Sequence, residues 1–332
     1  MSGGAHRLRA VYALCLGASA LACVETRDLG STAPHGMLPV DQRNPVILAN
    51  DGEADNWQGE YAILLASSGG PKLAGIIINT SGPWPDIDAN IAGWRGMVAA
   101  ARASGIRDIP DPIASIGPTL VRPADGRFGS TTPNRSEGAR LIVDASARLS
   151  LPYRPLVVVT GGRLTDVADA ILIDPTIVRR IVVVSSLGTV TATGGAMSNP
   201  NGEMDPWADA IVTGSVPFVQ VSAYYDQRND DVPDSSVASL PANPFGDWMA
   251  AKQPTIWTLA QSADQVAIVA VGIPAFATAV ERVAPGPTIG ASSGPDLTAN
   301  MDGPAWLVTQ SKPSAASTRL WQILNDPATY NH

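Results

Sequence analysis

Val46-Ile47-Leu48-Ala49-Asn50-Asp51-Gly52-Glu53-Ala54-Asp55-Asn56 begins as an unbroken apolar run and ends as a polar loop that carries carboxylates. A short apolar run of this kind, bounded by a turn, reads as a strand buried on both faces of a parallel sheet. After the loop, Trp57, Tyr61, Leu64 and Leu65 fall at i, i+4, i+7 and i+8, which is one face of a helix. The same alternation continues along the chain. Residues 73–79, 156–160, 181–185 and 218–222 read as further buried strands, and 87–104, 136–149, 164–173 and 206–213 as helices. Continuous apolar strands joined through helices predict an α/β fold, a doubly wound, largely parallel sheet with helices on both faces. No internal repeat interrupts it.

Ligands of open parallel sheets sit beyond the carboxyl ends of the strands. There the chain places Asp51 to Asn56, Asn79-Thr80-Ser81, Thr160 and Ser185-Ser186. One rim of the sheet is therefore expected to collect oxygen ligands.

The inventory narrows what that rim can do. The chain has 332 residues, 45% hydrophobic and 16% charged, so it can bury a large core and is not a disordered polymer. At roughly 150 residues per domain the length allows two domains, though α/β folds often reach it as one. Charge sums to −8, and Arg179-Arg180 is the only adjacent basic pair of the body, which argues against a nucleic-acid partner. Both cysteines, Cys15 and Cys23, lie near the start, and the histidines are His6, His35 and His332. A catalytic thiolate or a Cys/His zinc cluster thus lacks its residues. What remains is carboxylate, amide, hydroxyl and carbonyl oxygen, suited to a hard cation such as calcium or magnesium and to acid–base work.

The first 22 residues carry the pattern of a signal peptide: His6, Arg7 and Arg9 precede an apolar stretch too short for the ~20 residues of a bilayer span. Ala20-Leu21-Ala22-Cys23 resembles a bacterial lipobox, so Cys23 is expected to be lipidated; the alternative is an ordinary signal peptide cut nearby. Either way the protein is expected outside the cytoplasm, as a membrane-anchored lipoprotein or a periplasmic or secreted protein. Any membrane contact would run through the N-terminal lipid. Residues 23–44, polar with Gly30, Pro34, Gly36 and Pro39, read as a tether, and 45–332 as the folded domain. The apolar stretch 266–280, broken by Gly272 and Pro274, reads as a buried helix rather than a span.

Each candidate site residue has a plainer reading beside it. Asp51 and Asp55 could share a crevice and bind a cation, or Asp55 could cap a helix and Asp51 shape a turn. Asp264 precedes a helical run, so capping is its alternative too, a role that Ser262 could fill instead. Gly290-Ala291-Ser292-Ser293-Gly294 matches a nucleophile elbow, but Pro295 stands where the helix should begin, and the only later histidine is His332. The stretch 188–195 has no lysine for a phosphate loop, and no G-x-G-x-x-G follows a strand.

The stretch 46–56 also resembles the opening strand and loop of the inosine-uridine-preferring nucleoside hydrolases, whose signature is D-x-D-x-G-x-D-D. Asp51 and Asp55 fall on two of its four aspartates; Ala49 and Asn56 replace the others, and the glycine moves to Gly52. Val159-Thr160-Gly161-Gly162-Arg163-Leu164-Thr165-Asp166 resembles the family's T-G-x-L-T-N segment with one added residue. Asn199-Pro200-Asn201 and Asp205-Pro206-Trp207-Ala208 resemble its E-F-N and D-P-E-A-A elements, and Ala263-Asp264 its late His-Asp pair. The resemblance spans roughly residues 45 to 275.

It implies hydrolysis of an N-glycosidic bond at a calcium ion that binds the ribose hydroxyls and the attacking water. Carried over by position, Asp51 would be base and metal ligand and Asp55 a sugar and metal-side ligand. Asn56 would stand at a metal position, Thr160 would give a backbone carbonyl, Asp264 would bind metal, and Asn201 would contact ribose. A hard cation, a carboxylate base and an anionic pocket for an oxocarbenium-like sugar fit the inventory of oxygen donors. Asn56 removes one negative charge from the metal set, and Ala263 removes a proton donor, unless Tyr224, Tyr225 or solvent substitutes. The expected partner is therefore a small sugar or nucleoside, and a homo-oligomer is compatible with the chain. The reading is an exported glycosidase; its alternative is a surface-attached sugar- or nucleoside-binding protein without turnover. A serine hydrolase using Ser292 is a third reading.

Overall fold

The computed structural model describes residues 37–52, 57–82, 84–186, 189–190, 196–198, 200–221, 240–256, 264–289 and 295–331. Strand β1 (Pro45–Asn50) is the middle of the domain, because both of its faces are apolar: Val46 and Leu48 enter one core, Ile47 and Ala49 the other. β4 (Leu156–Thr160) and β5 (Ile181–Ser185) repeat this division, with Val157, Val159, Val182 and Val184 on the first side and Leu156, Val158, Ile181 and Val183 on the second. Successive side chains of a strand point to opposite faces, so strands that are apolar throughout must be covered twice.

Around β1 the sheet continues with β2 (Lys72–Ile78) and β3 (Pro112–Ala114) on one side, and with β4, β5 and β8 (Phe218–Val221) on the other. All of these pair in parallel. Beyond β8 lie β11 (Ala305–Ser311), β9 (Ala277–Ile289) and β10 (Pro295–Ala299), giving the order β10-β9-β11-β8-β5-β4-β1-β2-β3. β11 is parallel to β8, whereas β9 runs antiparallel to both its neighbours. A separate ribbon pairs β6 (Thr189–Val190) with β7 (Ala196–Ser198).

One face is covered by α1 (Gln58–Ser67), α2 (Ile87–Ala103), α7 (Pro244–Ile256), α8 (Gln265–Gly272) and α9 (Pro313–Leu324). The other is covered by α3 (Glu137–Leu149), α4 (Thr165–Ile173) and α6 (Pro206–Ser215); a short α5 (Pro200–Glu203) sits at the rim. This is the doubly wound, mostly parallel sheet expected from the sequence.

Three local readings change. Packing begins before Pro45: Leu38 and Val40 are buried in the core, and the Asn44 side chain donates to the Pro155 carbonyl at 2.8 Å, so the tether cannot extend to residue 44. The stretch 266–280 is not one helix. α8 ends at Gly272, Pro274 cannot continue it, and the chain enters β9 at Ala277. The described chain resumes after Ser292 as strand β10 rather than the helix that a nucleophile elbow requires, and Ser292 itself lies outside the described residues. Among the described residues no helix is long and apolar enough to cross a membrane. The expected signal peptide and Cys23 lie outside the described residues.

Candidate functional site

The carboxyl end of β1 is fixed by side chains from three other elements. Asn50 is fully buried; its amide donates to Gln58 Oε1 on α1 at 2.7 Å and to Asp264 Oδ2 at 3.1 Å, while its Oδ1 accepts the Gly52 N–H at 2.8 Å. Gln58 Nε2 also reaches the Asp264 carbonyl at 3.3 Å. From α2, Asn90 Nδ2 donates to the Asp51 carbonyl at 2.8 Å and to the carbonyls of Asn79 and Trp84, fastening the loop after β1 to the loop after β2. Trp94 Nε1 donates to the Gly52 carbonyl at 2.8 Å. Each such buried bond adds about 0.5–1.5 kcal/mol net, and losing one partner of it costs more. Asp51, 5% exposed, is therefore held by its backbone while its carboxylate faces the turn after β4.

That turn is glycine because nothing larger fits. A Cβ on Gly161 would lie 2.3 Å from Asp264 Cβ and 2.7 Å from Gln58 Nε2. One on Gly162 would lie 2.9 Å from Asp51 Oδ1. Asp51 and Asp264, some two hundred residues apart in sequence, thus close on the same two-glycine turn. Asp264 occupies the N-cap position of α8 but makes no capping bond with its side chain. Capping, its plainer reading, is not what this carboxylate does.

Thr160 ends β4 beside them. Its carbonyl accepts the Ser186 N–H at 3.0 Å and keeps a second lone pair, and its hydroxyl donates to Ser185 Oγ at 2.6 Å. Asn201, on α5, donates to the Ser186 carbonyl at 2.6 Å, so it is tied through Ser186 to Thr160. Asp55, Asn56, Ala263, Tyr224 and Tyr225 lie outside the described residues, and α1 takes Trp57 as its N-cap residue. Among the described residues no three His, Cys, Asp or Glu side chains gather closely enough to hold a metal ion. The donors that do gather, two carboxylates and a carbonyl with no sulfur or imidazole among them, have the hard-oxygen chemistry that suits calcium. Gly161 and Gly162, having no side chains of their own, let Asp264, Gln58 and Asp51 pack against the backbone of the turn.

Asn50, Gln58, Asn90 and Trp94 were not singled out by sequence reasoning. A signal existed for Asn90: it sits among Ile87, Ile91 and Trp94 on the inward face of α2, where an amide needs a buried partner.

A second acidic cluster stands one turn further along. Asp166 is wholly buried in α4 and meets Ser115 Oγ at 2.6 Å, Ser136 Oγ at 2.8 Å and Asn79 Nδ2 at 3.2 Å. Burial raises its pKa above the usual carboxylate value, against the opposing pull of these hydrogen bonds and of the Arg163 charge. Ser136 Oγ also lies 2.9 Å from Asp169 Oδ2. A hydroxyl has one proton to give, so it cannot satisfy two ionised carboxylates at once.

No family model and no curated protein matches the chain. Solved structures do. An inosine-guanosine nucleoside hydrolase superposes with a TM-score of 0.63 at 14% identity, covering 85% of this chain and 99% of the other. A plant nucleoside hydrolase gives 0.60 at 16% identity, covering 85% and 99%. A purine-preferring ribonucleoside hydrolase from Gardnerella vaginalis gives 0.54 at 15% identity, covering 86% and 99%. Over nearly the full length of those enzymes, this chain has the nucleoside-hydrolase fold.

Proposed function

We propose that the protein hydrolyses an N-ribosidic, nucleoside-like or related glycosidic bond, and that it does so outside the cytoplasm, anchored through Cys23 or released into the periplasm or medium. The observation that carries the reading is the convergence of Asp51 and Asp264 on the Gly161–Gly162 turn, at the ligand end of a sheet with the nucleoside-hydrolase fold. Asp51 and Asp264, with the Thr160 carbonyl and with Asp55 and Asn56, would hold calcium. A bound calcium ion would polarise the attacking water and bind the sugar hydroxyls.

The residues of the chain do the rest. The Asp51 carboxylate accepts the proton of the water, and the anionic crevice favours positive charge developing on the sugar ring. The Asn50 amide and the Gln58 side chain orient Asp264. Asn201 contacts the sugar through its remaining carbonyl oxygen. With Ala263 in place of a proton donor, the leaving group departs without help from that position, so substrates with good leaving groups react faster. The inosine-uridine preference implied by the sequence resemblance is part of this proposal, not of the fold.

The second reading, a surface-attached binding protein without turnover, draws on one observation: Asn50 already occupies a lone pair of Asp264, leaving less of that carboxylate for a metal. Hydrolysis assays on the mature chain with nitrophenyl riboside and with inosine, in calcium and in chelator, separate the two. Turnover of nitrophenyl riboside faster than inosine, lost on chelation, is the expected result. Absence of turnover on every glycoside would select the binding protein.

A further inference from the structure

Next to the Asp51 crevice, at the same end of the sheet, is a cavity of about 510 Å³. Its walls include Thr80 and Ser81 after β2, Thr119, Arg163 after β4, and Glu203 and Met204 from α5 and the residue after it. Its size is that of a small-molecule pocket, roughly 300–1,000 Å³. Two links of chain connect it to the crevice: Arg163 follows Gly162, whose backbone abuts Asp51, and Glu203 lies two residues beyond Asn201, the sugar contact proposed above.

Arg163 is under-used for a half-buried cation. Its guanidinium donates to the Gly117 carbonyl at 2.7 Å, while its Nε is buried with no hydrogen-bond partner among the described residues. It forms no ion pair among those residues either. Asp166, the buried acid on which its charge acts, is already engaged by Ser115, Ser136 and Asn79. Glu203 lines the same cavity but is exposed, so solvent screens its charge. Ser81 Oγ accepts the Trp84 N–H at 3.3 Å, which leaves its own proton to give. Arginine stays charged at any physiological pH and offers a fixed fork of donors, so it serves as a counter-charge rather than as an acid.

We infer that this cavity is a subsite for a phosphate-class group carried on the sugar of the ligand, bound by Arg163 with the hydroxyls of Thr80, Ser81 and Thr119. The inference rests on the reading of the crevice as a glycoside site and narrows its substrate class from nucleosides to phosphorylated, nucleotide-like ribosides. A phosphate supplies several acceptor oxygens for a guanidinium edge and neighbouring hydroxyls, and such charge-assisted bonds are about twice as strong as neutral ones. A neutral sugar hydroxyl would leave the half-buried cation uncompensated.

The test is calorimetric titration of the mature chain, with calcium present, by ribose 5-phosphate, ribose and inorganic phosphate, repeated on Arg163→Met and Arg163→Lys. The expected result is that wild type prefers ribose 5-phosphate to ribose by about tenfold or more, that Arg163→Met erases the preference, and that Arg163→Lys, keeping charge but not the fork, retains part of it. Equal affinity of wild type for the two sugars, or an unchanged ratio in Arg163→Met, would overturn the subsite while leaving the glycoside site standing. Inorganic phosphate binding as tightly as ribose 5-phosphate would overturn the claim that the anion belongs to a sugar. No binding of either sugar at millimolar concentration would overturn the subsite and the glycoside site together.

Discussion

Asp264 and Asp166 are both carboxylates pressed against a glycine at the same end of one sheet, and their surroundings differ. Asp264, only partly buried, sits over Gly161 with Asp51 beside it, and the amides of Asn50 and Gln58 orient it. Asp166 is sealed over Gly138, with two serine hydroxyls and an amide closed around it. A carboxylate that must take a proton or hold a cation needs an open side. One that ties helices α3 and α4 to the loop after β3 does better shut away, where its charge becomes a liability.

The same substitution at each cluster should therefore give different phenotypes. Asp51→Asn, at the first cluster, should lower turnover by about 10²–10⁴-fold, because an amide cannot accept the proton of water. Its melting temperature should stay near wild type, since the backbone carbonyl of Asp51, not its side chain, receives Asn90. Steady-state kinetics beside calorimetry measures both, and equal rates for the two proteins would remove Asp51 as base. Gly161→Ala comes next. Its methyl would need the space of Asp264 Cβ, and if Asp264 holds the proposed metal, a displacement approaching 1 Å should cost about 10²-fold in kcat/KM. Unchanged kinetics would mean that Asp264 takes no part in the reaction.

The two clusters also differ in how far the sequence revealed them. Asp51 stood out at the end of an apolar strand and Asp264 before a helical run, each at a position that the family resemblance also marks. What sets their geometry did not stand out: Asn50 meets Asp264 across 214 residues of chain, and no local pattern carries such a contact. The central strands were legible because β1, β2, β4, β5 and β8 are apolar on both faces. β3 has three residues, too few for a periodicity, and β9 contains Pro285, Gly286 and Pro287, which read as a breaker. β9 tolerates them because its register with β10 is irregular where Pro285 pairs with Leu297. The helix α1, expected to show one apolar face, is buried from Gln58 to Leu65, since other helices pack over its outer side.

A smaller effect is expected at the glycine of the closed cluster. Gly138→Ala would set a Cβ 2.8 Å from Ile77 Cγ2, 2.8 Å from Ser115 Oγ and 2.9 Å from Asp166 Cγ. Overpacking costs about 1–3 kcal/mol, while alanine within a helix recovers up to about 1 kcal/mol over glycine. Overpacking wins, and the net loss should be about 1 kcal/mol, read as a lower denaturant midpoint with kcat unchanged. A loss of kcat to match Gly161→Ala would break the distinction between the clusters.

The finest test is Asp166→Asn, and its sign depends on pH. Ser136 Oγ lies within bonding distance of both Asp166 Oδ1 and Asp169 Oδ2 but has one proton, so a neutral Asp166 resolves the conflict that an ionised one leaves. Asn79 Oδ1 is buried without a partner among the described residues, and a half-turn of that amide would present it to a donor on Asp166. A protonated carboxyl supplies such a donor, and so does the introduced amide. Because burial raises the folded-state pKa, the wild type has the full benefit of this cluster below the ordinary value of 3.8 and loses it as pH rises through the raised value. The amide does not titrate. Asp166→Asn should therefore melt above wild type at neutral pH, and the gap should close as pH falls toward about 4, other carboxylates titrating alike in both proteins and cancelling in the difference. Paired melting curves across that range read it directly. A gap that is constant with pH would mean that Asp166 is ionised in the fold, and that its hydroxyl cage solvates charge after all.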